Sequence, residues 1–174
     1  EWRDKIGTWD GRAFGLGGWS LSVHHIYDRN SRTLYLGDGR TRRADALPQV
    51  ITTVAGTGQP GFTGDGGPAR SARVSPHDVA VAPDGSLFLA EASSHRIRRI
   101  DPAGIIHTFA GNGTTGTDGD GGPATAAQLG APFGVALGLD GSLYIADSQF
   151  HRVRKVTPDG IIHTIAGDGQ QASH

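Results

Sequence analysis

Six residues, Gly-Asp-Gly-Gly-Pro-Ala, stand at 64–69 and again at 119–124. Longer stretches return at nearly the same spacing. Asp84-Gly85-Ser86-Leu87-Phe88-Leu89-Ala90-Glu91 is answered by Asp140-Gly141-Ser142-Leu143-Tyr144-Ile145-Ala146-Asp147. His95-Arg96-Ile97-Arg98-Arg99-Ile100 is answered by His151-Arg152-Val153-Arg154-Lys155-Val156, and residues 104–108 return unchanged at 160–164. The offset is 55 residues at the first element and 56 afterwards, so one residue is inserted between. Matches this long at one offset mean that the chain is made of copies of one supersecondary unit.

Each copy divides into four short segments. In the first full copy they are 78–82, 86–90, 96–100 and 105–110, separated by Pro-Asp-Gly, Ser-Ser and Pro-Ala-Gly. Apolar and β-branched runs between such turns predict strands, not helices. Four antiparallel strands per unit is the pattern of a propeller blade, so the expected fold class is all-β, a β-propeller. A degenerate third copy lies upstream, at 21–27, 33–37, 40–44 and 50–55. There Leu34-Tyr35-Leu36-Gly37-Asp38 aligns with 143–147, and Val54-Ala55-Gly56-Thr57-Gly58 aligns with Phe109-Ala110-Gly111-Asn112-Gly113. About three four-stranded blades are therefore present. Propellers typically close with about 4 to 8, so a piece of a larger ring, about six-bladed, is expected. The boundaries read as a linker at 1–19 from an upstream domain, a degenerate first blade at 20–58, full blades at 59–113 and 114–169, and the start of a further unit at 170–174. The linker carries all three Trp, Trp2, Trp9 and Trp19.

Composition fits this reading. With 28 Gly and 9 Pro in 174 residues, the 36% hydrophobic content reflects many turns rather than the lack of a core. Sixteen basic and 17 acidic residues give a formal charge of -1, which argues against nucleic acid as a partner of the whole surface. The absence of Cys excludes disulfides and thiolate metal sites. No run reaches the roughly 18 apolar residues of a membrane span. The chain begins at Glu1 without a signal peptide or initiator Met, and reads as part of a longer protein.

The blade pattern Gly134-Val135-Ala136, Asp140 to Asp147, His151 to Val156 and Ile165-Ala166-Gly167 resembles the NHL repeat. The family's Asn-His-Leu signature is kept loosely, as Ser94-His95-Arg96 and Phe150-His151-Arg152. Upstream, Trp9-Asp10-Gly11, Gly15-Leu16-Gly17-Gly18-Trp19-Ser20-Leu21, His24-His25-Ile26-Tyr27-Asp28 and Leu34 to Gly39 resemble the entry to the NHL propeller of teneurin-like and bacterial Rhs (YD-repeat) proteins. That resemblance implies a scaffold and recognition module of a large cell-surface or secreted protein, an adhesion receptor or a polymorphic toxin. It also implies that further blades and a YD shell of the same chain are its neighbours.

Residues that repeat around a ring read as scaffold. This applies to His95, His107, His151 and His163, and to His24-His25 as part of the entry motif. The Asp residues of the GDGGPA elements, Asp65 and Asp120, read as caps of a short Pro-led helical turn, with a calcium site on Asp65, Asp118 and Asp120 as the weaker alternative. Arg96, Arg98 and Arg99, with Arg152, Arg154 and Lys155, read as solvated third strands with cross-strand ion pairs. The alternative is RNA binding. Residues that differ between copies are the better binding candidates. His77 and Asp78 stand where the next copy has Phe133-Gly134, and a His beside a carboxylate can be a ligand or a base. Arg70 and Arg73 replace Thr125 and Gln128 in the long loop. No HExxH, nucleophile elbow or P-loop is present. The expected function is non-catalytic binding of a protein or glycan through the loops at 59–74 and 114–129, with no cofactor and no metal. Alternatives are a metal-dependent propeller lyase built on His77 and Asp78, and an RNA-binding propeller. Apolar faces at open ends are expected to make the isolated chain sticky or dimeric.

Overall fold

The computed structural model describes three strands at 25–28, 33–37 and 41–44, and the continuous stretch 51–169. The linker at 1–19, His24 and the segment 170–174 lie outside the described residues.

Among the described residues twelve strands form three antiparallel four-stranded sheets, each in sequence order. The first contains β1 (His25–Asp28), β2 (Thr33–Gly37), β3 (Thr41–Ala44) and β4 (Ile51–Ala55). The second contains β5 (Asp78–Val81), β6 (Leu87–Glu91), β7 (Arg96–Ile100) and β8 (Ile106–Ala110). The third contains β9 (Pro132–Leu137), β10 (Leu143–Asp147), β11 (Arg152–Val156) and β12 (Ile162–Ala166). The opening strand β5 lies against β9 and approaches β1, as inner strands do around a propeller axis.

Local chemistry sets the hairpins. Asp84 Oδ1 accepts the Ser86 N–H at 2.9 Å, and Asp140 Oδ1 accepts that of Ser142 at 3.1 Å. These side-chain turns close β5–β6 and β9–β10. A bulge recurs between the third and fourth strands, at Thr41/Arg42, Ile97/Arg98 and Val153/Arg154. A bulge re-aims a side chain, and in the second and third sheets it falls beside Arg98 and Arg154, both fully buried.

Both faces of the second sheet are buried, against different neighbours. Ala80, Phe88, Ala90, Ile97 and Ala110 pack on Val135, Leu143, Ile145, Val156 and Ile162 of the third sheet. The opposite face, with Val79, Leu87, Leu89, Ile100 and Ile106, packs with Ala55 and Val54 of the first. Among the described residues the third sheet has no such second neighbour. Its Ala136, Ala146 and Ala166 are exposed where Ala80, Ala90 and Ala110 are buried.

The long loops do not stand free of the blades. In the loop before β5, Gly66 N–H donates to Ile106 O at 2.8 Å and Ile106 N–H donates to Gly67 O at 3.0 Å. Pro68 bridges to Ile105, and Pro123 bridges to Ile161 in the next copy. The GDGGPA element is thus laid along the blade's outermost strand and satisfies an edge that would otherwise be open.

Candidate functional site

One arginine shared by the two full copies is built into the interior of each blade. Arg98 and Arg154 are fully buried. Arg98 Nη2 lies 2.6 Å from Asp65 Oδ1 and donates to Thr63 O at 3.2 Å, and Arg98 Nη1 is 3.8 Å from the buried Glu91. Arg154 repeats the pattern, 2.8 Å from Asp120 and 3.9 Å from the buried Asp147, and donates to Gln128 O at 3.1 Å. The expectation of a solvated third strand is corrected here. Among the described residues the exposed bridges are made by the alternate cations, Arg99 paired with Asp84 at 3.3 Å and Lys155 paired with Asp140 at 3.0 Å. The capping role of Asp65 and Asp120 is corrected as well. The 3-10 turns Ala69–Ser71 and Ala124–Ala126 have no side-chain cap, because both carboxylates turn to the arginines instead.

Burial pushes the Glu91 carboxyl up, and the Arg98 charge pulls against it. Burial likewise pushes Asp147 up, against the Gly130 N–H and the Arg154 charge. His95 adopts the left-handed conformation at φ 54°, and its Nδ1–H donates to Gly130 O on the neighbouring blade's approach. The repeated histidine and arginines therefore join loop to strand and blade to blade.

The four residues singled out by their differences between copies do not form one site. Asp78 Oδ2 accepts the Val135 N–H at 2.9 Å, and its Oδ1 accepts that of Val79 at 2.9 Å. It is a staple from β5 to β9. His77 lies edge-on to Phe133, ring centroids 4.8 Å apart, at equivalent places in adjacent blades. Its Nδ1 is buried and makes no hydrogen bond. Among the described residues, no group of three or more His, Asp or Glu could hold a metal ion. Arg73 is exposed on the loop, where its N–H donates to Thr63 Oγ1 at 3.1 Å and its carbonyl accepts from Thr63 N–H.

Arg70 belongs to a cavity of about 400 Å³ where the first and second sheets meet. Val54, Leu87 and Ile100 give it apolar walls, with Pro68 and Asp101 beside Arg70. Arg70 is exposed, and among the described residues no hydrogen bond or ion pair holds its guanidinium. Asp101 Oδ1 accepts the Ile105 N–H at 2.9 Å. Val54 and Asp101 were not singled out from the sequence. The signal that could have found them is the pairing of copies, in which Phe109 and Thr157 stand at their places.

Residues 113–174 match the family model described as Teneurin NHL domain. The chain is 31% identical over 148 residues to Teneurin-m of Drosophila melanogaster, covering 81% of this chain and 5% of that protein. It is 35% identical over 96 residues to Teneurin-1 of Mus musculus, covering 53% of this chain and 3% of that protein. The chain thus spans a small part of the length of these relatives. Among solved structures, a structural genomics protein of unknown function from Bacteroides thetaiotaomicron superimposes with a TM-score of 0.65 at 23% identity, covering 86% of this chain and 36% of that one. A streptogramin B lyase does so with a TM-score of 0.56 at 13% identity, covering 84% and 41%. At these identities the structural likeness is one of fold alone. Repeat, blade geometry and family match agree: the chain belongs to the teneurin-type NHL-repeat β-propellers.

Proposed function

We propose that this chain is a non-catalytic scaffold and recognition module of a large teneurin- or Rhs-like protein, acting at the cell surface or after secretion on a protein or glycan partner. One observation carries the reading. Arg98 and Arg154, common to the copies, are consumed inside the blades, whereas Arg70 and Arg73, present in one copy only, are exposed, and among the described residues nothing engages their guanidinium groups. A rigid ring with variable exposed residues on its loops is how scaffold folds carry recognition. No helix among the described residues is long and apolar enough to cross a membrane.

Neither alternative gains support among the described residues. A lyase centre on His77 and Asp78 would need free ligand atoms, but both Asp78 oxygens are engaged by backbone N–H groups. RNA binding by the third strands would need Arg98 and Arg154 at the surface, and they are buried.

The test replaces Arg70 and Arg73 by the residues of the next copy, Arg70→Thr with Arg73→Gln. The chain and the double variant are screened against a glycan array and a panel of purified extracellular domains. Binding by the chain that the variant loses, with the β-sheet circular dichroism intact, supports the proposal. Binding that is the same in both overturns the role of these loops.

A further inference from the structure

The two junctions between sheets follow one plan but differ at several lining positions, two of which shape the space. Where the second sheet meets the third, Phe109 closes the junction. Its ring is half-buried against the core and lies edge-on to Phe88, centroids 4.8 Å apart. Where the first sheet meets the second, the aligned residue is Val54, and the cavity of about 400 Å³ opens there. Leu87 and Ile100, which line it, correspond to Leu143 and Val156 of the next blade. The second difference lies on the same wall, where Arg70 stands in place of Thr125. One substitution makes room between apolar side chains. The other adds a permanent cation that has no partner among the described residues.

We propose that this cavity is a binding site for a small apolar carboxylate, its hydrocarbon part against Val54, Leu87 and Ile100 and its carboxylate on the Arg70 guanidinium. The volume falls at the small end of the range for ligand pockets, about 300–1,000 Å³, and the mix of apolar walls with few polar groups is typical of them. Guanidinium presents a planar fork of donors matched to a carboxylate, and such charge-assisted pairs are about twice as strong as neutral hydrogen bonds. Asp101 lies on the wall too, tied to the Ile105 N–H and not ion-paired with Arg70, so the anionic end of the ligand sits on the Arg70 side. The carboxylate could be that of a free small acid or the C-terminus of a peptide with an apolar last residue. The site shares Arg70 with the loop recognition proposed above but does not rest on that reading.

The experiment titrates the ¹⁵N-labelled chain with phenylacetate, with the uncharged phenylacetamide, and with a pentapeptide ending in Phe as free acid and as amide. Saturable shifts at the amides of Leu87, Ile100 and Gly104 are expected with phenylacetate or the free-acid peptide, and not with either amide. Phenylacetate alone identifies a free acid as the source, and the free-acid peptide alone identifies a chain terminus. Val54→Phe fills the space with the residue that the next junction already carries, and should abolish the shifts. Arg70→Thr, an exposed change that tests the site even if Val54→Phe misfolds, should weaken binding about tenfold or more, the usual loss for a hydrogen-bonded charge. Equal binding of acid and amide, no saturable shifts with any probe, or unchanged affinity in Arg70→Thr would overturn the proposal. Unchanged binding by a folded Val54→Phe would do so as well. Because Val54→Phe leaves the loop arginines in place, its result separates this site from the loop recognition proposed above.

Discussion

At the scale of single residues, position decides what a charge contributes. Arg98 and Arg99 are neighbours on β7, yet Arg98 is fully buried between Asp65 and Glu91 while Arg99 meets Asp84 in solvent. Arg98→Met should cost about 3–5 kcal/mol, because it strands the buried Glu91 charge. Arg99→Ala should cost less than about 1 kcal/mol, the usual worth of an exposed bridge. Urea unfolding of both variants checks the contrast, and adding Glu91→Gln to Arg98→Met should recover part of the loss. Backbone gives a second case. Gly111, at φ +88°, sits where a Cβ would overlap the His95 carbonyl oxygen. Gly111→Ala should therefore destabilise by about 2 kcal/mol or more, from left-handed strain plus overlap with backbone. A melting temperature equal to that of the unmodified chain would refute it.

At the scale of elements, the repeat made the strands legible and hid what lies between them. Expected segments such as 96–100 and 33–37 are the observed β7 and β2. Alternating apolar and turn residues determine such bounds locally. The burial of Arg98 was not legible, because its partner Asp65 arrives from a loop more than thirty residues upstream. The cavity was hidden for a similar reason. It depends on which side chain of one blade faces the next, and a linear pattern does not carry that. The turns between strands make their own prediction. Lys155, and then the Ser142 N–H, hold the Asp140 carboxyl down to about 2. A depressed folded-state value means that its stabilisation is present above the ordinary 3.8 and lost as pH falls toward about 2. Glu91 and Asp147 run the other way. Burial raises them, so their contribution grows as pH falls through their folded values and does not drive acid unfolding. Asp140→Asn should thus be less stable than the unmodified chain at neutral pH, and the gap should close by pH 2. Denaturant midpoints across that range read it directly, and a gap independent of pH would contradict it.

At the scale of the whole molecule, the three sheets are not equivalent in what covers them. The face of the second sheet that carries Ala80, Ala90, Ile97 and Ala110 is sealed by the third. The corresponding face of the third leaves Ala136, Ala146 and Ala166 exposed and Ile165 49% exposed. His151 takes the same left-handed turn as His95 but is exposed, without the neighbouring carbonyl that His95 meets. This face has the shape and chemistry of a blade junction with one side missing. Blades stack because each has two apolar faces to bury, so the isolated chain is expected to self-associate through it. Light scattering over a concentration series should give a molar mass that rises toward a dimer. Ala146→Glu, which places a charge on the exposed face without touching the core, should return the chain to monomer with its β-sheet circular dichroism intact. A concentration-independent monomer would mean that the open face tolerates water as it stands.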